Sequence, residues 1–566
     1  MSILHALFLT LGLIQVTSPF LVSYASVIPT DAKELSALPF QVPSSPQVRD
    51  ILSARSSNSS TPYQNRADSG NDCHVKPYDA PLVGQQDFPP FDEDRATVFR
   101  YRQQQSVNLG SWFVHENWMT PSVFKCASGK QSAEIDIATG WGSVSNARAL
   151  LERHWDTFIT EGDFQYLASI GINTVRLPIG YWNLGPDFCK GTPFAKVAAV
   201  YENSWPRIVR AINMANDAGI GVLVDLHGAV GSQNGQAHSG VSDGATRLFD
   251  DPRNVEKTMN VLKFLTRQLA SVTNVVGIQV LNEPKYVDGL EDFYTQAITT
   301  MRAVSEDAKN LPLYLHDGFN LNRFSKYVAS RKDFVVQDHH SYFVFGKNDK
   351  SASASQHTSD VKSKVSGSLA TTSNKQRRNL VVDEWSCALT PASSQQENNQ
   401  AQAQKKFCST QLATYSGTAA GWSFWAYMKE GCDSDAGWCF KSAVGKNLPD
   451  TFFSYGDSAP ALASTKASTS TNPSPSKARS SKRRGPRSRR HIAIVRRAKT
   501  NSEGYNDGFQ AAKTFAAVGM SKLGFSGQFI QDQLTKSDSS VDSDAYSNDF
   551  MKGLTDGEAS VASGQS

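Results

Sequence analysis

Between about residue 107 and residue 455 the chain returns again and again to short apolar runs cut off by a polar or aromatic residue. Eight of them, at 106–110, 173–178, 221–226, 277–281, 313–316, 334–338, 379–383 and 421–426, read as inner strands of a parallel sheet. Strands covered on both faces are near-continuous apolar runs, whereas half-exposed ones alternate. Between many of these runs, as at 208–218 and 255–270, apolar residues recur at three- and four-residue spacing, which marks a helix with one buried face. Eight strand–helix units predict an α/β chain closed into a (β/α)8 TIM barrel over residues 96–456. The rival architecture is an open doubly wound sheet, but no Gly-rich phosphate loop follows an early strand.

Outside that region the periodicity fades. Ala6 to Ile14 is an apolar core of signal-peptide length, and Ser23-Tyr24-Ala25 offers a small-x-small cleavage site, so residues 1–25 predict secretion. Gln15, Thr17, Ser18 and Pro19 break the run short of the roughly 20 residues that span a bilayer. Residues 26–95, rich in Ser, Pro and Gln, read as a leader or pro-segment. A Ser/Pro-rich basic linker at 457–500 leads to a small helical tail at 501–566. In that tail Tyr505-Asn506-Asp507-Gly508-Phe509 and Tyr546-Ser547-Asn548-Asp549-Phe550 look weakly repeated, with Phe509, Phe515, Leu523 and Phe529 as a modest core. So short a piece is marginal alone.

Charge and cysteines narrow the partners and the compartment. The net charge of +4 comes from one segment, for eleven Lys/Arg and no acid lie between Lys477 and Lys499. Without them 46 basic residues face 53 acidic ones, a net charge of −7. The basic segment has no interleaved aromatics, so it reads as a solvated linker with dibasic protease sites and not as a nucleic-acid surface. Seven cysteines fit an oxidising compartment with up to three disulfides and one thiol left over. Cys432 and Cys439 are near enough in sequence to close a short loop; the pairing itself stays open. Asn58-Ser59-Ser60 is a glycosylation sequon.

In a parallel barrel the residues at strand C-termini face one mouth. Here they are Glu116 in the loop after the first strand, then Arg176, His227, Asn282 with Glu283, Asp317, His340 with Tyr342, Glu384, and Trp425. Each alone has a structural explanation; eight strands each supplying a polar or aromatic group at one relative place point to a site. Two carboxylates delivered this way, Glu283 and Glu384, are the minimum equipment for cleaving a glycosidic bond.

Asn282-Glu283-Pro284, Asp383-Glu384-Trp385 and the stretch from Thr174 to Trp182 resemble the motifs of family 5 glycoside hydrolases. The blocks Asn108 to Phe113, His154 to Thr160 and Asp225 to Gly235 resemble, more narrowly, fungal exo-β-1,3-glucanases, and the likeness covers about residues 100–455. The resemblance implies a retaining reaction with Glu283 as acid/base and Glu384 as nucleophile, their carboxyls about 5–5.5 Å apart. Arg176 and Tyr342 would hold Glu384 ionised and aimed. Asn282 would grip the sugar 2-hydroxyl, Glu116, His227 and His340 would bind hydroxyls of the terminal glucose, and Trp425 would stack beneath it. Trp182 and Asn234 are lesser cleft candidates. No metal or other cofactor is expected, since the carboxylates supply both acid and nucleophile.

The chain departs from the family at Asp383, where Gly is common, and at His115-Glu116-Asn117-Trp118. Strand alternation predicts that Asp383 points away from Glu384, into the barrel wall or an interior ion pair. The expected partner is a β-glucan polysaccharide met by a secreted monomer in the extracellular space or cell wall, with no nucleic acid and no membrane span. Action on β-1,6-linked or mixed β-glucan, and on mannan or cellulose, remain open alternatives within the fold. A wall-binding protein without turnover is the alternative outside the enzymes; a matched acid and nucleophile argue against it.

Overall fold

A computed structural model describes residues 73–456 (apart from 74, 76, 82 and 85), 503–535 and 542–564. The signal segment, the Asn58 sequon and the basic run lie outside the described residues.

Eight strands, β1 (Gln104–Asn108), β2 (Thr174–Gly180), β3 (Gly221–Gly228), β4 (Val275–Gln279), β5 (Leu313–His316), β6 (Val335–Ser341), β7 (Leu380–Trp385) and β8 (Gly421–Phe424), pair in sequence order into a closed barrel. All eight pairings are parallel, and β8 closes on β1 through Gln104↔Gly421 to Val107↔Phe424. The TIM-barrel expectation therefore holds. Helices cover the outside with the predicted apolar faces. One, Pro252–Leu269, starts with Asp251 accepting from the Arg253 amide and a proline in its first turn, where a missing N–H costs nothing. Among the described residues no helix is long and apolar enough to cross a membrane.

Strand ends differ from the sequence reading where pairing, not hydrophobicity, decides them. β4 stops at Gln279, yet the Val280 amide still donates to Tyr314 O of β5 and the Asn282 amide to Leu226 O of β3, which holds Asn282 and Glu283 at the sheet's C-terminal rim. β6 and β7 run further than predicted and pair His340↔Glu384 and Ser341↔Trp385 past a register shift. Such an irregularity re-aims side chains. It lets Asp383 and Glu384, neighbours in sequence, both take part in the buried network inside the barrel.

The bottom of the barrel is apolar and closed. Helix Glu93–Tyr101 crosses it and contributes Phe99, which packs with Leu223, Val276, Tyr314, Val336 and Val381. The tail completes the seal. Residues 522–525 run beside the start of β1: the Gln103 amide donates to Lys522 O, and the Gly524 and Phe525 amides donate to Tyr101 O. Phe525, fully buried, enters the same apolar cluster. Gly524 permits the approach, because a Cβ there would lie 2.5 Å from Gln103 Cα. Helix Ser526–Thr535 adds Gln528, which bonds Asn379 and Lys332 O, and Asp532, which accepts from the Tyr101 hydroxyl.

The two repeated motifs lie on helices Gly504–Ala516 and Ser543–Ala562, which pack tightly on each other. A Cβ at Gly553 would sit 1.9 Å from Tyr505 O. Of the predicted tail core, Phe515, Leu523 and Phe529 are buried together, whereas Phe509 stays on the surface side, under Lys513. The tail thus makes its core partly with the barrel. Disulfides join Cys73 to Cys126, Cys387 to Cys408 and Cys432 to Cys439, leaving Cys189 as the buried free thiol among the described residues.

Candidate active site

The upper half of the barrel interior is polar, built around Arg176 on β2. Its guanidinium, fully buried, donates to Gln279 Oε1, Asn108 Oδ1, Asn282 Oδ1 and Glu384 Oε1 at 2.7–2.9 Å and lies 3.0 Å from Asp225 Oδ2. Five directional partners use the whole planar fork, which a lysine ammonium cannot do.

His340 on β6 sits between the paired carboxyls. Its Nδ1 is 2.6 Å from Glu283 Oε1 and 3.3 Å from Glu384 Oε2, and its Nε2 is 3.0 Å from Asp338 Oδ2. Those two glutamate oxygens therefore lie within about 6 Å of each other. Tyr342 donates its hydroxyl to Glu384 Oε2 at 2.8 Å. Glu283 has a left-handed backbone, φ 39°, unusual for a residue with a side chain, and Asn234 Nδ2 holds its carbonyl at 2.9 Å.

The electrostatics follow from crowding acids and cations out of water. His340 is held well above the usual imidazole range: burial opposes its charge, but Glu384 and Asp338 outweigh it. Asp338 drops to about 2, with His340 overcoming burial, and burial pushes Asp225 up to about 7 despite Arg176. Burial likewise pushes Glu384 up, to about 7, with His340 and Arg176 pulling back. Around its oxygens, however, Arg176, Tyr342 and the imidazolium all donate, which leaves no acceptor for a proton. That census favours the carboxylate. Glu283 differs: Oε1 is taken by His340, and Oε2 lies 3.7 Å from His238 Nε2.

Most predicted residues converge here, with corrections. His227 keeps Nδ1 on Asp225 (2.7 Å), turns Nε2 toward Asn282 (3.4 Å) and stacks parallel to Trp425, centroids 5.8 Å apart. Glu116 Oε2 accepts from the exposed Trp118 indole, and burial raises its carboxyl. His340 is not free to bind a sugar hydroxyl, because both its nitrogens are committed to carboxylates. Asp317 turns out of the site toward His339 and Gln337, so it is His316, one residue earlier, that packs on His340. Trp182 lies behind the wall, fully buried and stacked on Phe194. Asp383 is inside the barrel below Glu384, its amide on Asp338 Oδ1, its carboxyl raised well above the usual range by burial and by Asp338.

Sequence reasoning missed Asp225, Gln279, Asp338, His238 and His316. The two-residue spacings Asp225/His227 and Asp338/His340 place each pair on one strand face and could have revealed the first and third. His238, on a 3-10 turn after β3, had no periodic signal. Glu283, His316 and His340 bring ligand atoms within 4.8 Å of one another, a spacing that could hold a metal. With His340 bonded on both nitrogens and His316 Nδ1 accepting the Gly318 amide, the trio reads better as a proton-holding cluster.

Two buried carboxyls facing each other across the C-terminal mouth of a parallel barrel define a class, the (β/α)8 glycoside hydrolases. A family model for cellulases, glycosyl hydrolase family 5, matches residues 137–441. Glucan 1,3-beta-glucosidase 3 of Schizosaccharomyces pombe is 34% identical over 360 residues, covering 62% of this chain and 74% of that protein. Glucan 1,3-beta-glucosidase of Yarrowia lipolytica is 29% identical over 382 residues, covering 59% and 86%. Among solved structures, a rutinosidase from Aspergillus niger shares the fold with TM-score 0.50 and 19% identity, over 62% of this chain and 99% of that one. The chain belongs to glycosyl hydrolase family 5.

Proposed function

We propose that the protein is a secreted, retaining exo-acting hydrolase that releases glucose from the non-reducing ends of β-1,3-glucan in the extracellular space or cell wall. The observation that carries this reading is one imidazole within hydrogen-bonding reach of both Glu283 and Glu384. Relatives named glucan 1,3-beta-glucosidase support the substrate, and three disulfides support an oxidising compartment.

In this reading Glu384 Oε2 attacks the anomeric carbon as Glu283 protonates the departing oxygen, giving a glycosyl ester and a shortened glucan. Glu283, now a carboxylate, takes a proton from water, whose oxygen displaces Glu384 with a second inversion. Arg176 and Tyr342 fix the nucleophile's oxygens through charge-assisted hydrogen bonds. Asn282, its carbonyl pinned by Arg176, presents its amide N–H groups to the sugar 2-hydroxyl. Glu116 and His227 bind other hydroxyls of the terminal glucose, and Trp425 forms the apolar floor.

Laminarin and pustulan, incubated separately and followed by proton NMR, test this directly. β-Glucose as the first product from laminarin, with pustulan untouched, is the expected result. Oligosaccharides as first products would make the enzyme endo-acting, α-glucose would make it inverting, and glucose from pustulan alone would move the linkage to β-1,6.

A further inference from the structure

We propose that Gln233 and Asn234, consecutive residues on the loop after β3, are positioning residues for the acid step: they clamp the backbone on either side of Glu283 and hold its carboxyl where the leaving oxygen needs it. This rests on the retaining reading above.

The backbone at Glu283 needs holding. Its φ of 39° is left-handed, and the next residue is Pro284, whose ring favours an extended conformation in the residue before it. Such a conformation persists only where the surroundings over-determine it. The proline also has no N–H to give. The handles left around the bend are the carbonyls of Asn282 and Glu283 and the amide of Lys285, and the clamp takes all three. Gln233 Nε2 donates to Asn282 O at 3.0 Å, Asn234 Nδ2 donates to Glu283 O at 2.9 Å, and the Lys285 amide donates to Gln233 O at 3.0 Å.

The network fixes which way each side-chain amide faces. Gln233 Oε1 accepts from the Ala229 amide at 3.1 Å, so Nε2 is the donor, to Asn282 O and to His227 O at 2.7 Å. This side chain is fully buried. Asn234 Oδ1 accepts from the Gln236 amide at 2.9 Å, so Nδ2 gives one hydrogen to Glu283 O and the other to His238 Nε2 at 3.0 Å. The loop is itself pinned at its turn, where Ser232 is left-handed and its Oγ accepts from the Gly235 amide at 2.8 Å. The end of β3, which carries His227, is thereby tied to the rim of β4, which carries the acid.

A general acid works only within hydrogen-bonding reach of the atom it protonates. Released from the clamp, the backbone at 283 relaxes toward the extended form and takes the carboxyl off the leaving oxygen. In the step itself the O–H bond of Glu283 breaks and the proton passes to the glycosidic oxygen; the two amides gain and lose nothing.

The test compares leaving groups. Laminaribiose expels a sugar alkoxide that must be protonated, while 2,4-dinitrophenyl β-glucoside expels a stable phenolate that need not be. In Asn234→Ala, kcat/KM for laminaribiose should fall about tenfold or more while the aryl glucoside loses less than about threefold. A merely structural role would lower both alike. Gln233→Met, close to the native side chain in length but without a donor, should show the same split and decides the matter if the alanine variant fails to fold. Equal losses on the two substrates, or no loss on either, would overturn the clamp while leaving the hydrolase intact. A native chain inactive on both substrates would take both readings down.

Discussion

The two ends of the barrel solve opposite problems with the same eight strands. At the mouth, Arg176, Asp225, Asp338, Asp383, His340 and both glutamates are packed out of water in one hydrogen-bonded network. At the bottom, Phe99, Leu223, Val276, Val381 and Phe525 form a buried apolar plug. Burying unmatched charge is costly, and replacing ion pairs by apolar groups is often neutral or stabilising. The mouth is thus the part held in place at the expense of stability, and the bottom, with its seal from the tail, is the part that offsets it. Function and stability sit at opposite poles of one cylinder.

Substitutions at the two poles should therefore separate activity from stability. The largest effect is expected from Glu384→Gln: kcat on laminarin should fall by about 10⁴-fold or more, with melting temperature changed little. Next, Phe525→Ala should cost about 3–5 kcal/mol in denaturant unfolding, yet leave turnover per folded molecule as it was, because the cavity opens far from the mouth. Unchanged stability in that variant would remove the tail from the structural core.

Asp383→Asn probes the electrostatic side of the contrast. The folded chain keeps a proton on Asp383 that the unfolded chain releases above about pH 4, so the native protein loses stability as pH rises, by up to about 1.4 kcal/mol per unit from this group. The asparagine variant carries no such proton and should gain relative to the native chain with rising pH, read as melting temperatures between pH 5 and pH 8. The smallest effect is at the seam of tail and barrel. Tyr101→Phe removes one hydrogen bond to Asp532 and should cost about 1 kcal/mol without touching kcat.

The same contrast explains what could be read in the sequence. Strands were legible because burial on both faces writes an apolar run, and the residues ending those runs, Arg176, His227, Glu283, His340 and Glu384, fell into the site. Long-range packing was not legible. Nothing in residues 522–528 says that they lie along β1 and insert Phe525 under the barrel, since the partners are some 400 positions away. Likewise nothing in the periodicity places His238, on the loop after β3, within 3.7 Å of Glu283. Asp317 was preferred to His316 for want of the one-residue register that decides which side chain faces inward.

The short loop closed by Cys432 and Cys439 has a consequence for where the protein can work. It carries Trp438 against Tyr342 and against Trp118, so the covalent clasp fixes a tilted indole wall beside the hydroxyl donor to Glu384. Opening that clasp would slacken the lip, whereas Cys387–Cys408, just after β7, lies within the barrel core. The lip is thus a part of the cleft whose shape rests on a covalent bond.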